Sequence, residues 1–307
     1  MKPILVTTNT HPDLDGYACA VAYAEYLNKK GRPAIAGLFG EYSLETQFVV
    51  EHYHFTYPMR ISNVSEYGQI ALVDTSSTYS LNPEINPERV IEVIDHRIIH
   101  KTHFTKAKYQ MEYIGAAATL IAEKFKQNNI PISKEAAVLL HTAIISNTLN
   151  FQAKITHARD HEMAEWLNEK SPLPPNFTHQ MFKAKSNLPG EKLCIAIEND
   201  FADYGFANQK VGIGQLEVVE STLLIKNRLN EIILVLKKIA TQNKLDFFFL
   251  SIADLGKNFT YFVTEHVPTQ QLLTDIFRVT FEGPVAIRKG LILRKEIFPQ
   301  IKEKLEK

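Results

Sequence analysis

Thr10-His11-Pro12-Asp13-Leu14-Asp15-Gly16 follows the apolar run Ile4-Leu5-Val6 and precedes the small-residue stretch Ala18-Cys19-Ala20-Val21-Ala22-Tyr23-Ala24. The pattern reads as strand, acidic loop, helix. Two carboxylates two residues apart, on a loop at the carboxyl end of a strand, can aim hard oxygen ligands into one cleft. A divalent cation site is built this way, so the loop is the first place to look for chemistry.

Moving outward, short β-branched runs alternate with helical patterns. Strands are expected at Ile4 to Thr7, Ala34 to Leu38, Gln69 to Asp74 and Val90 to Asp95. Helices are expected at Tyr17 to Lys29, Leu44 to His52, Ile114 to Gln127, Lys134 to Asn147 and His157 to Glu169. Such alternation predicts βαβ units and a parallel sheet. Pro172, Pro174 and Pro175 break the pattern, and Ser186-Asn187-Leu188-Pro189-Gly190 is the best linker. Beyond it, Lys192 to Ile197, Val211 to Val219, Asp246 to Ala253 and Tyr261 to Thr264 read as strands, with helices near Leu223 to Lys238 and Thr269 to Phe277. The expected fold is α/β: a domain over residues 1–185 with a mostly parallel sheet flanked by helices, a linker at 186–191, and a smaller mixed α/β domain over 192–307.

Composition narrows the function. A chain of 307 residues is long enough for two cores. Lys plus Arg equals Asp plus Glu at 34 each, so no global field gathers nucleic acid or an anionic membrane. Cys19 and Cys194 lack the spacing of a zinc site or disulfide framework, which points to the cytoplasm. No apolar run approaches the roughly 18 residues of a membrane span, so a soluble protein is expected. His100, His103, His141 and His157 are scattered and argue against a separate zinc site. Trp166 and Phe247-Phe248-Phe249 have no interleaved basic residues, so they are expected to pack a core rather than stack bases.

The acidic loop has company. Ile70-Ala71-Leu72-Val73 ends at Asp74, and Val90-Ile91-Glu92-Val93-Ile94 ends at Asp95-His96-Arg97. In an open parallel sheet these ends share one edge. One Asp after a strand is commonly a turn former or helix cap; three such ends together indicate a site.

These three segments resemble the first three motifs of the DHH phosphoesterase superfamily, with Asp-His-Arg where the third motif is ordinarily Asp-His-His. Lys210-Val211-Gly212-Ile213-Gly214-Gln215-Leu216 and Lys289-Gly290-Leu291-Ile292-Leu293-Arg294-Lys295 are similar to the DHHA2 domain of manganese-dependent family II inorganic pyrophosphatases. Gly115-Ala116-Ala117-Ala118-Thr119 and Ala143-Ile144-Ile145-Ser146-Asn147-Thr148-Leu149-Asn150-Phe151 extend the likeness along the chain. Exopolyphosphatase and prune-like relatives share this architecture, and the prune-like group carries Asp-His-Arg. The DHHA1 branch, with its oligoribonucleases, has a glycine-rich Gly-Gly-Gly-His segment, whereas no Gly-Gly pair occurs here. Nucleic-acid cleavage is therefore the weaker reading.

The resemblance implies an active site in the interdomain cleft and a catalytic, metal-binding set of Asp13, Asp15, Asp74 and His96. Asn9 stands where the family has a metal-binding His, and Asn147 where it has an Asp; His11 is a substitute imidazole. The implied cofactor is a divalent cation, manganese first, with magnesium or cobalt as alternatives. Arg97, Lys210, Arg294 and Lys295 are the implied substrate-binding residues. Arg97 grips phosphate bidentately but cannot release a proton at working pH. A second domain closing over the cations would exclude water. The family also implies a homodimer, and the substrate expected is pyrophosphate or short polyphosphate, hydrolysed by two-metal water activation. Departures at Asn9, Asn147 and Leu293 leave two alternatives: a catalytically degenerate regulator that binds a phospholigand or partner, and a small-nucleotide phosphodiesterase.

Overall fold

The computed structural model describes residues 2–98, 103–206 and 209–306. The chain divides into two units, Met1–Ala184 and Lys185–Lys307. The first carries β1 (Ile4–Thr7), α1 (Leu14–Lys29), β2 (Ala34–Leu38), α2 (Leu44–Tyr53), β3 (Met59–Arg60), β4 (Gln69–Val73), β5 (Val90–Asp95) and β6 (Lys108–Met111). It continues with α3 (Ala117–Gln127), α4 (Lys134–Asn147), α5 (Ala158–Lys170) and α6 (Phe177–Lys185), whose last residue opens the second unit.

The six strands run in the order β3-β2-β1-β4-β5-β6, and every pairing is parallel. All four residues of β1 and Ile70 to Val73 of β4 are buried, as befits strands covered on both faces. From β1 the chain crosses to β2 on one side and later to β4 on the other. The order therefore reverses between β1 and β4, where an open α/β sheet leaves a crevice outside its carboxyl ends. Side-chain caps fix where helices begin. Asp13 Oδ1 accepts from Gly16 N at 3.0 Å, so α1 starts at Leu14, three residues before the expected Tyr17. Ser133 Oγ likewise accepts from Ala136 N at 3.1 Å and starts α4.

The second unit carries α7 (Lys192–Asn199), β7 (Phe201–Phe206), β8 (Gln209–Val218), α8 (Ser221–Asn243), β9 (Phe247–Asp254), β10 (Phe259–Val263), α9 (Val267–Phe277), β11 (Phe281–Glu282), β12 (Val285–Lys289) and α10 (Arg294–Leu305). Its sheet, β11-β12-β10-β9-β8-β7, is mixed: β8 and β9 are parallel and the other pairs antiparallel. One expectation fails here. Lys192 to Ile197 was expected to be a strand because Leu193, Ile195 and Ile197 alternate with polar or small residues, yet it is α7. Leu193 and Ile197, four apart, share one buried helical face while Ile195 is 49% exposed, so the 3.6-residue period prevails. Sequence reading also passed over β3, β6, β7, β11, β12, α6 and α10. Phe249 is fully buried against Phe262, and Phe248 stacks on His266, so this aromatic run packs the unit. No described helix is long and apolar enough to cross a membrane.

His141, on α4, is 7% exposed, and its Nδ1 has no hydrogen-bond partner among the described residues. Burial pushes its pKa down from 6.5 to about 4, so the folded protein keeps it neutral where the unfolded chain protonates it. Stability conferred by neutral His141 is complete above pH 6.5 and is lost as pH falls toward about 4, a change of about 3 kcal/mol. Urea midpoints measured across this range should fall less steeply for His141→Phe than for the parent. Parallel slopes would contradict the assignment.

Candidate metal centre

Three strand ends deliver the site. The loop after β1 ends at Asp13, the cap of α1, and the first turn of α1, not the loop as expected, supplies Asp15; Asp74 follows β4, and Asp95, His96 and Arg97 end and follow β5. Among the described residues, Asp15, Asp74 and His96 form the group of three acidic or imidazole side chains whose ligand atoms lie within 4.8 Å of one another. Asp15 and Asp74 are buried. Asp74 adopts a left-handed φ of 53°, which ends β4 abruptly and which Asp tolerates better than most residues. Its amide donates to Ile94 O at 2.8 Å, tying the turn to β5. Gly16 leaves the room this requires: a Cβ there would stand 2.8 Å from Thr8 Oγ1 and 3.3 Å from Asp74 Oδ2.

Asp15 does two jobs. Helix α3 begins after Ala116, which has no side chain able to cap it, and the Ala117 and Ala118 amides instead donate to Asp15 Oδ2 and Oδ1, each at 2.8 Å. Asn147 Nδ2 adds a bond to Asp15 Oδ2 at 2.9 Å, and Cys19 Sγ approaches Oδ1 at 3.4 Å. Burial raises the Asp15 pKa from 3.8 to about 6; His96 and the two amides oppose the rise, and Asp13 adds to it. Burial also holds Asp74 well above the usual carboxylate range, with the Asp15 and Asp13 charges adding to the effect. Two buried carboxylates side by side create a strong demand for positive charge.

His96 stands beside them in a fixed orientation. Its Nδ1 lies 3.1 Å from Ile114 O, which can only accept, so Nδ1 carries a proton, and Nε2 faces Asp74 Oδ1 at 3.5 Å. Two carboxylates and one such imidazole fit a borderline cation such as manganese. Arg97 Nη2 donates to Asp74 O at 2.6 Å and approaches Asp74 Oδ1 at 3.4 Å, while its Nε donates to Asp95 Oδ1 at 3.0 Å. Asp95, fully buried, also accepts from Ser76 Oγ at 2.5 Å.

The other expected residues sit as follows. Asp13 is exposed and caps α1. Asn9 Oδ1 accepts from His11 N at 3.1 Å, and His11 is exposed beside Thr10, with Nδ1 3.2 Å from Oγ1. Within the second unit, Lys210 and Lys295 are exposed. Arg294 is paired there, with Nη2 2.6 Å from Asp200 Oδ1 and Nη1 donating to Asp200 O. His100 lies outside the described residues, and His103, His141 and His157 belong to no metal-ligating trio among those described. Sequence reading missed Asp95 as the anchor of Arg97, the carbonyl of Ile114, and Asp160 beneath the turn that precedes α3. Asp95 was visible in the Asp-His-Arg run, whereas a backbone acceptor leaves no mark in a sequence.

The DHH family N-terminal domain model matches residues 3–144, and the DHHA2 domain model matches residues 179–304. The chain is 29% identical over 301 residues to the manganese-dependent inorganic pyrophosphatase of Bacillus subtilis (strain 168), covering 96% of each. A Bacillus cereus (strain B4264) protein described as a manganese-dependent inorganic pyrophosphatase is 29% identical over 307 residues, covering 99% of each. The crystal structure of a Methanococcus jannaschii protein described as a family II inorganic pyrophosphatase aligns with a TM-score of 0.73 at 26% identity, covering 99% of this chain and 100% of that one. An exopolyphosphatase-related protein from Bacteroides fragilis, at 12% identity and a TM-score of 0.52, shares the fold. With both domain models matched in order along a chain similar to these pyrophosphatases from end to end, the protein belongs to the DHH family, in its DHHA2-bearing branch.

Proposed function

We propose that this chain is a metal-dependent phosphoanhydride hydrolase acting on inorganic pyrophosphate or short polyphosphate. The observation that carries the reading is the convergence of Asp15, Asp74 and His96 at the sheet's switch point. Full-length similarity to manganese-dependent pyrophosphatases supports it. Asp15, Asp74 and His96 would hold the cation, with Asp13 and, more weakly, Asn9, His11 and Asn147 as further donors of the same segments. A bound divalent cation supplies a nucleophilic water at neutral pH and polarises phosphoryl oxygens.

The chain's own groups then act on the phosphates. Arg97, held by Asp74 and Asp95, presents a permanent positive charge that grips phosphate and keeps its proton. Lys210, Arg294 and Lys295 offset charge on the phosphate oxygens. We place the protein in the cytoplasm as a homodimer, in keeping with its two free cysteines and, for the dimer, with the family resemblance alone.

One observation favours a second reading, a phospholigand-binding regulator without turnover. Asp15 already accepts from Ala117 N, Ala118 N, Asn147 Nδ2 and Cys19 Sγ, so protein donors occupy the oxygens a cation would use. Calorimetric titration with manganese separates the two: saturable binding strengthened by a pyrophosphate analogue supports the hydrolase, and no uptake supports the regulator.

Three outcomes follow for purified protein. Phosphate release from pyrophosphate or tripolyphosphate should appear with manganese, cobalt or magnesium, and Asp74→Asn should lower kcat/KM by about 1,000-fold, several kcal/mol of lost cation chemistry. Asn147→Asp, which restores a carboxylate, should tighten manganese binding; unchanged affinity would separate this residue from the cation.

Without metal, the raised Asp74 pKa means ionisation costs stability as pH rises above 3.8. Metal-free Asp74→Asn should therefore melt above the parent at pH 7.5, with the gap closing as pH falls toward 4. Manganese should raise the melting temperature of the parent and leave the variant's unchanged. A parent that melts higher without metal would refute the charge-repulsion argument.

A further inference from the structure

We infer that Asp160, on the first turn of α5, is a positioning residue for the cation site, acting through the turn of residues 114–119. This rests on the reading that Asp15, Asp74 and His96 hold the cation. Asp160 is fully buried and touches none of those three side chains among its hydrogen bonds. Its Oδ2 accepts from Gly115 N at 3.0 Å and from His157 N at 2.7 Å, and its Oδ1 accepts from Thr119 Oγ1 at 2.5 Å. The His157 bond closes a capping box that starts α5, and the other two hold both ends of the turn.

Four backbone groups of the turn serve the site. Ile114 O fixes the His96 tautomer, Gly115 O accepts from Asn147 Nδ2 at 3.1 Å, and the Ala117 and Ala118 amides bind Asp15. One carboxylate thus sets the position of three side chains that come from α1, the β5 end and α4. Sterics make the seat specific. A Cβ on Gly115 would stand 2.4 Å from Asp160 Oδ2 and 2.6 Å from Thr148 Cγ2, so only glycine lets the turn rest on this carboxylate. Next to it, Arg159 binds Glu123 of α3 at 2.6 Å through Nε and Glu112 at 2.6 Å through Nη1, clamping the same segment from both sides.

Asp160→Asn retains an oxygen for Gly115 and His157 and turns its amide toward Thr119 Oγ1, which can accept. Asp160→Ala loses all three bonds. Met163→Ala, on the same helix and buried, is a control for general loss of stability.

Two readouts test the role: manganese affinity by calorimetry, and the His96 ring tautomer from imidazole 15N shifts of the metal-free protein. Asp160→Ala should weaken manganese binding by about tenfold or more, the scale of lost outer support for a metal ligand, and give mixed His96 tautomers. Asp160→Asn should stay within about threefold and keep the Nδ1–H form, with Met163→Ala resembling the parent. Thr119→Val, which removes one bond, should fall between and serves if Asp160→Ala does not fold. Equal affinities and an unchanged tautomer in Asp160→Ala or Thr119→Val would overturn the proposal. If the parent itself takes up no manganese, the functional reading fails, while the tautomer shifts still decide whether Asp160 orients His96.

Discussion

Two carboxylates, Asp15 and Asp74, are buried next to each other at the carboxyl edge of a parallel sheet, and much of the surrounding structure answers the resulting charge. Burying a carboxylate without compensation is costly, and a second one beside it adds repulsion. The protein replies with donors from several directions: the first amides of α3 and the Asn147 amide at Asp15, and Arg97 at Asp74. A divalent cation is the natural completion of such a set, since it concentrates more positive charge than any single side chain.

The same network fixes Arg97 and Asn147 in place. Arg97 bridges Asp95 and the Asp74 backbone while His96 keeps its bond to Ile114 O. Asn147 acts as a donor, linking Asp15 to Gly115 O. Both residues bring positive or donor character to the buried carboxylates. The buried carboxylates are thus partly neutralised by the protein's own groups, which bears directly on metal affinity.

Much of this was legible in the residue pattern because the determinants are local. Apolar strands ending in the Asp13 loop, Asp74 and Asp95-His96-Arg97 announce both the parallel sheet and the edge where the ends meet. What stayed hidden depends on long-range geometry. The left-handed turn at Asp74, the three successive positive φ values at Leu149, Asn150 and Phe151, and the carbonyl of Ile114 are backbone features with no residue signature of their own. Asp160 looked like an ordinary first-turn acid on α5 until the fold brought Gly115 and Thr119 onto it. The α7 segment failed for another reason: Leu193, Ile195 and Ile197 satisfy a strand's alternation as well as a helix's i, i+4 spacing, and only tertiary burial chooses between them.

The central claim is that Asp15, Asp74 and His96 together hold a divalent cation. Anomalous diffraction from crystals grown with manganese tests it most directly. The account predicts an anomalous peak coordinated by carboxylate oxygens of Asp15 and Asp74 and by Nε2 of His96, with Nδ1 still bonded to Ile114 O. Manganese-saturated crystals with no peak among those three side chains would contradict it.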